Sequence, residues 1–263
     1  MELRRTTFVI TQKCTLKCRL CLAFIPYYET PVHTSIEEAG VILENYFKIV
    51  ENVGIFSVTG GEPLLNPAFY DIMKLVYTYG RQIRNYIDIV TNGTMLMDVR
   101  TLELLKKNAK NTRVIISDYG KELSRKKEAL VEQLQKYGIF YRVQNYAGSE
   151  DWLYDGWVDF TDHSLKHTTP KELERQALRC IFRQGHYYVI NEGELHPCSR
   201  SFWRMYKGII SRDEEQFLDL LHCTPQIGRT KLEHIEKLVA LNSCAYCNGV
   251  YPGVKRYRPA EQL

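Results

Sequence analysis

The sequence predicts an α/β fold: a parallel sheet built from consecutive strand–helix units, followed by a small C-terminal β-hairpin and helix. Two observations carry this. Over the first 145 residues strand and helix signals alternate with short connections, the pattern of βαβ units. Between Tyr146 and Pro170 that periodicity fails, and hairpin signals take over beyond it. The expected division is therefore 1–165 and 166–263. Thr6 to Thr11 is an apolar run that reads as the first strand. Ser35 and Glu38 form a capping box, and Ile36, Ala39, Leu43, Phe47 and Val50 then recur at helical spacing. Ile55 to Thr59 is the second strand. Asn66-Pro67 supplies an N-cap and first-turn proline for a helix ending near Gly80, and Tyr86 to Thr91 is the third strand. A helix near Val99 to Lys107, a strand Arg113 to Ser117, a helix near Leu123 to Tyr137 and a strand Ile139 to Asn145 complete five strands. The stretch 146–170, with Trp152, Tyr154, Trp157 and Phe160 among acidic and glycine residues, reads as a loop or a short sixth strand. Gly185 to Ile190 and Glu194 to Cys198 flank Asn191-Glu192-Gly193 as a hairpin, and Lys231 to Leu241 reads as an amphipathic helix.

With 263 residues and 44% hydrophobic content, the chain can bury a large core without cross-links. No run approaches the roughly 20 apolar residues of a membrane helix, and Met1 to Val9 is too short and polar for a signal peptide. The expectation is a cytoplasmic protein with no membrane partner. A formal charge of +4 from 35 basic and 31 acidic side chains leaves no footprint for nucleic acid.

The eight cysteines say more. In a chain without secretory features they read as metal ligands or reactive groups rather than a disulfide framework. Cys14, Cys18 and Cys21 cluster directly after the first strand; Cys180, Cys198, Cys244 and Cys247 lie in the C-terminal third, with Cys223 among them. A closed structural zinc site takes four ligands, whereas an iron–sulfur cube held by three thiolates keeps one iron open. Zinc with a remote fourth ligand is the alternative.

The Cys-x3-Cys-x2-Cys spacing after a first strand resembles the radical S-adenosylmethionine (SAM) superfamily, and other landmarks of that family follow in order. Gly60-Gly61-Glu62-Pro63 at the end of the second strand is similar to the family's motif for the methionine amino group, with Glu62 offering a carboxylate. Thr91-Asn92 ends the third strand, and Ser117-Asp118 ends the fourth, where the family places polar groups against the ribose. Leu20 stands where an aromatic residue is usual beside the adenine, and Thr15 where asparagine is common. The resemblance implies a partial (β/α)6 barrel and a 4Fe-4S cluster on Cys14, Cys18 and Cys21. Bound SAM would be cleaved there to a 5'-deoxyadenosyl radical, with a flavodoxin or ferredoxin as electron donor. Such a radical needs a dry pocket; the Trp152 to Phe160 stretch either covers it or packs between the two regions.

Cys180, Cys198 and the Cys244-x2-Cys247 pair resemble the twitch domain, a shortened SPASM module that holds a second 4Fe-4S cluster; a zinc ribbon is the alternative. Size and cysteine layout resemble the twitch-domain dehydrogenases that oxidise an aminocyclitol hydroxyl. The expected reaction is accordingly a two-electron oxidation of a small hydroxyl-bearing molecule, with the second cluster as acceptor. Arg142, Asn145 and Asp118, at strand ends, are candidates for holding that substrate or taking its proton. The rival is a peptide-modifying enzyme, an epimerase or cross-linking maturase, in which Cys223 would donate hydrogen; otherwise Cys223 is an inert buried thiol. The early start of the first strand weighs against the separate leader-binding domain many such enzymes carry. A zinc-binding interaction module would leave Gly60-Gly61-Glu62-Pro63 unexplained.

Overall fold

The computed structural model describes residues 1–148 and 152–263. The expected elements form, with shifted ends. β1 (Glu2–Val9) leads through a long loop to α1 (Ile36–Ile49), where Ser35 and Glu38 make the reciprocal capping box. β2 (Asn52–Thr59), α2 (Phe69–Thr78), β3 (Ile83–Thr91), α3 (Val99–Lys107), β4 (Thr112–Asp118), α4 (Lys127–Lys136) and β5 (Tyr141–Asn145) follow. Asn66 Oδ1 accepts from Ala68 N–H at 2.8 Å, capping the turn that leads into α2, while its amide nitrogen donates to the Ile10 and Thr34 carbonyls and fastens the exit of β1; the regular helix starts at Phe69.

The early strands run longer than their apolar stretches because one face of the sheet is polar inside. Asp88 is fully buried and takes two hydrogen bonds from Arg113, at 2.9 and 3.0 Å. Arg5 reaches Asp88 and Ser57 from β1. These polar side chains pair laterally across four strands, and Arg5, just outside the expected first strand, lies within β1.

After β5 the chain crosses through α5 (Pro170–Arg179) and α6 (Ile181–Gln184) to β6 (Tyr187–Asn191), β7 (Glu194–His196), α7 (Ser199–Tyr206), β8 (Leu218–Asp219) and α8 (Pro225–Lys237). β6 lies parallel to β1, Arg5 to Phe8 against Tyr187 to Ile190, so the sheet order is β5-β4-β3-β2-β1-β6-β7-β8. This corrects two expectations. The sixth parallel strand is the first arm of the hairpin, on the free side of β1, and one continuous sheet crosses the expected division at 165/166. The described part of 146–170 forms no strand beyond an isolated bridge from Trp157 to Tyr257; residues 149–151 of that stretch lie outside the described residues.

Among the described residues three hydrophobic clusters form, of which two bear on the site. The larger lies between the sheet and α1 to α4 and α8. The smaller is aromatic: Phe24 stacks on Trp203 at 4.2 Å, and Phe160 and Phe202 join them, with Cys14, Cys21 and Cys247 packed against or within it. Among the described residues no helix is long and apolar enough to cross a membrane.

Candidate active site

Parallel strands deliver their C-terminal ends to one rim. Here that rim receives the Cys14 to Cys21 loop after β1, Gly60 to Pro63 after β2, Thr91-Asn92 from β3 and Ser117-Asp118 from β4. Gly61 N–H donates to the Thr11 carbonyl and Glu62 N–H to that of Lys13, both at 2.9 Å. A Cβ on Gly61 would be driven into the Lys13 carbonyl and lie 2.6 Å from Cys14 Cβ. The glycine is required by the close approach of the cysteine loop itself. Gly61→Ala is expected to displace Cys14 and lower iron uptake by the N-terminal cysteines severalfold, read as iron per chain after anaerobic reconstitution.

The Glu62 carboxylate is engaged within the protein. It is wholly buried and turned inward, accepting from Thr91 Oγ1 at 2.9 Å, Asn92 N–H at 2.8 Å and Leu64 N–H at 3.2 Å. Burial pushes its pKa up to about 7 despite these bonds. It braces the rim by tying the turn after β2 to the end of β3. Asn92 continues the brace: its amide donates to Thr15 Oγ1 at 2.9 Å and to Cys14 Sγ at 3.5 Å.

All three thiols are partly or largely buried, and each sulfur has N–H donors near it. Leu16 N–H lies 3.4 Å from Cys14 Sγ and Gln262 Nε2 3.3 Å from Cys18 Sγ; backbone N–H groups of Ile25, Ala23 and Phe24 face Cys21. Burial pushes Cys14 up to about 11 and Cys18 up to about 12. Bound iron supplies the positive charge that converts such thiols to thiolates, and N–H···S donors are the usual second layer of iron–sulfur sites. The loop therefore fits a cluster.

Two of its supports carry no sequence motif. Gln262 also accepts from Lys17 N–H, at 2.7 Å. Tyr119, bonded to Ser117, has its pKa raised by burial and then by Cys18.

The C-terminal cysteines converge as well. Cys180, Cys198, Cys244 and Cys247 line one pocket with Arg183 and Arg200. The loop bearing Cys244 and Cys247 is tied down by Arg204, which donates to Ser243 O, Ser243 Oγ and Tyr246 O at 2.7 to 2.9 Å. Gln176 Nε2 donates to Cys247 O at 3.0 Å. Arg200 is only 1% exposed, and its Nε and Nη1 have no hydrogen-bond partner among the described residues. Burial would lower its pKa, yet the surrounding cysteines, Cys198 foremost, hold it above the ordinary value. An unpaired buried cation among four thiols fits a site that receives an anionic four-thiolate cluster.

Between the two cysteine groups lies a cavity of about 460 Å³. Leu20 and Leu22 of the cysteine loop form one wall, Phe182 and Val250 beside the C-terminal cysteines another, and Trp157 and Phe160 contribute aromatic faces. Asp155 and Arg256 are its charged lining residues.

The expected substrate-binding residues are not among them. Arg142 is exposed on the edge strand β5, and Asn145 is spent on a turn, accepting from Ala147 N–H. Asp118 is at the rim but bonded to Lys127 at 2.6 Å. Cys223 packs near Gly228 and Ile49, and Ile49 immediately precedes β2, so this thiol lies toward the opposite end of the strands from the cysteine loop. Cys223→Ala is expected to leave turnover unchanged, which a rate comparison on reconstituted enzyme checks.

Residues 8–117 match the radical SAM superfamily model. Over 89 residues the chain is 30% identical to GTP 3',8-cyclase of Campylobacter jejuni subsp. doylei, a stretch covering 34% of this chain and 27% of that enzyme. The match thus spans about a quarter of the relative's length. Two crystal structures share the fold over nearly all of this chain. SuiB of Streptococcus suis bound to S-adenosylmethionine superposes with a TM-score of 0.56 at 16% identity, covering 95% of this chain and 73% of that one. BtrN in complex with AdoMet and 2-DOIA gives 0.53 at 17% identity, covering 97% of both chains. The family match ends on β4 and takes in the cysteine loop and the strand ends that adjoin it; over that stretch the chain is similar to the radical SAM superfamily.

Proposed function

We propose that this chain binds S-adenosylmethionine on a cluster held by Cys14, Cys18 and Cys21, abstracts a hydrogen atom from a small hydroxyl-bearing substrate, and completes a two-electron oxidation with a second cluster at Cys180, Cys198, Cys244 and Cys247. The observation that carries the reading is the cavity placed between two cysteine groups, one of which surrounds an unpaired guanidinium. Among the described residues no three His, Cys, Asp or Glu side chains gather as ligands of a single ion. Zinc takes all its ligands at about 2.0 to 2.3 Å from one centre. A cube takes one thiolate per iron, so its ligands stand further apart.

When bound and reduced, with an electron from a flavodoxin or ferredoxin, the first cluster and its S-adenosylmethionine supply a 5'-deoxyadenosyl radical. The chain's own residues do the rest. Backbone from Gly60 to Pro63 would hold the methionine amino group, with Thr91 and Asn92 fixing that backbone through Glu62. Ser117 would bind the ribose and Leu20 would pack on the adenine. Trp157, Phe160 and Phe182 keep water from a carbon radical that would take the nearest hydrogen. Oxidation of a carbinol to a carbonyl releases one hydrogen atom, one electron and one proton. Asp155 is the carboxylate on the cavity wall able to accept the proton, taking the part expected of Asp118, whose Oδ2 is held by Lys127 and whose Oδ1 accepts from Gly120 N–H.

One observation favours a second reading, a peptide side chain as substrate: the cavity rim carries the exposed apolar residues Leu22, Tyr154 and Ile181. Cyclitols, amino sugars and peptides deuterated at candidate carbons separate the two. Deuterium arriving in 5'-deoxyadenosine from a carbinol carbon, with a carbonyl product, supports oxidation. Deuterium arriving only from peptide carbons overturns the small-molecule reading.

A further inference from the structure

We infer that Arg200 is the built-in counter-charge of the C-terminal cluster and raises its reduction potential, so that the cluster serves as an electron acceptor. The inference rests on the proposed function, since it requires a cluster at the four C-terminal cysteines.

The contrast within α7 carries the argument. Arg200 and Arg204 are four residues apart on one helix, hence on one face, and both are buried. Arg204 spends its donors on the Ser243 and Tyr246 carbonyls and the Ser243 hydroxyl. Arg200 has no such outlet. Its guanidinium carbon lies 4.6 Å from the ring centres of both Phe160 and Phe182, which orient it without neutralising it. No carboxylate lines the pocket among the described residues, and the nearby Arg183 adds a second cation, with its Nε likewise unpartnered. A buried charge without an anionic partner is costly, and the two aromatic faces, which are uncharged, repay only part of it. The four cysteines are what the guanidinium faces.

A cube with four thiolates is an anion in both oxidation states and carries one more negative charge when reduced. A fixed cation beside it stabilises the reduced form more than the oxidised one. N–H donors directed at cluster sulfurs act in the same direction, and charge, hydrogen bonding and exposure are the levers that set such potentials. Arg200 combines the three: it is cationic, holds free N–H groups and is sealed from water. The step it favours is the transfer of one electron to the oxidised cluster, which becomes reduced as the substrate radical loses that electron and a proton.

The test uses full-length chain with Cys14, Cys18 and Cys21 changed to Ala, so that only the C-terminal cluster is observed. Reconstituted protein is assayed for iron and sulfide and titrated with dithionite under EPR, with Arg200 intact or as Arg200→Gln or Arg200→Lys. The inference expects about four irons throughout. It also expects a midpoint lower in Arg200→Gln by at least tenfold in the redox equilibrium, 59 mV for one electron, and largely restored by Arg200→Lys. An unchanged midpoint at full iron content overturns the inference and leaves the two-cluster reading standing. No iron in the parent overturns both. If Arg200→Gln takes up no iron, thermal unfolding of cluster-free Arg200→Met decides. A higher Tm than cluster-free wild type supports an uncompensated charge, and a lower one makes Arg200 a packing residue and overturns the inference.

Discussion

With Cys14, Cys18 and Cys21 replaced together by alanine, reconstituted protein is expected to hold about four irons where the wild type holds about eight, and to form no 5'-deoxyadenosine from S-adenosylmethionine. The separation of the two cysteine groups dictates a partial loss. The first three thiols sit on a loop braced by Gly61, Asn92 and Gln262, while the other four are held by Arg204 and Gln176 in a pocket of their own. The aromatic layer of Phe24, Trp203 and Phe160 lies where the two groups approach each other. Changing three thiols to alanine removes N–H···S contacts but no backbone-to-backbone hydrogen bond of the loop, so the Arg19 and Leu263 N–H bonds that join it to the C-terminal segment remain. The circular-dichroism spectrum should therefore be retained. Zinc is measured on the same samples. A variant holding no iron but about one zinc would assign the C-terminal cysteines to a zinc ribbon and end the dehydrogenase reading. A variant that still cleaves S-adenosylmethionine would remove the radical function from the N-terminal loop.

Much of this arrangement is written locally in the sequence. The capping box at Ser35, the span of α3 and the order of strand-end motifs follow from periodicities a few residues long. What was not legible depends on partners far away in the chain. The pairing of β6 with β1 joins segments about 180 residues apart, and no local pattern specifies which edge a late strand will take. The first strand reads as starting at Thr6 because the charge of Arg5 suggests exposure, whereas inside the sheet Arg5 and Arg113 both pair with the buried Asp88. Glu62 shows a further limit: a carboxylate in a motif suggests a ligand contact, and the bonds it accepts from Thr91 and Asn92 within the protein leave no mark in the sequence. Arg200 left a faint signal, two arginines at helical spacing directly after Cys198 amid Phe202, Trp203 and Met205, where basic residues share a helix with core aromatics. Cys223 was chosen for its chemistry, and only the packing beside Ile49 and Gly228 reveals its distance from the rim.

The inward turn of Glu62 also predicts a pH dependence of stability whose sign is opposite to that of most carboxylates. In the folded cluster-free protein burial raises its pKa to about 7, against an ordinary 4.5. The native state therefore binds this proton more tightly than the unfolded chain. Below pH 4.5 the group is protonated in both states and its burial carries no charge penalty. Between about pH 4.5 and 7 the unfolded chain releases the proton while the folded one retains it, so stability falls as pH rises, and above 7 the loss is complete. A difference of about 2.5 units at 1.36 kcal/mol each amounts to about 3 kcal/mol. Other groups titrate in the same range, so the wild-type profile alone does not isolate the effect. Glu62→Gln does: glutamine keeps the shape and one acceptor oxygen for Thr91 and Asn92 and cannot ionise. Urea denaturation of cluster-free protein under anaerobic reducing conditions, from pH 4.5 to 8, is expected to show Glu62→Gln gaining on the wild type by about 3 kcal/mol over that interval. A constant difference between the two profiles would mean that Glu62 is ionised at its ordinary pKa in the fold, held by Thr91, Asn92 and Leu64 strongly enough to offset its burial. The brace under the rim would then be a charged one.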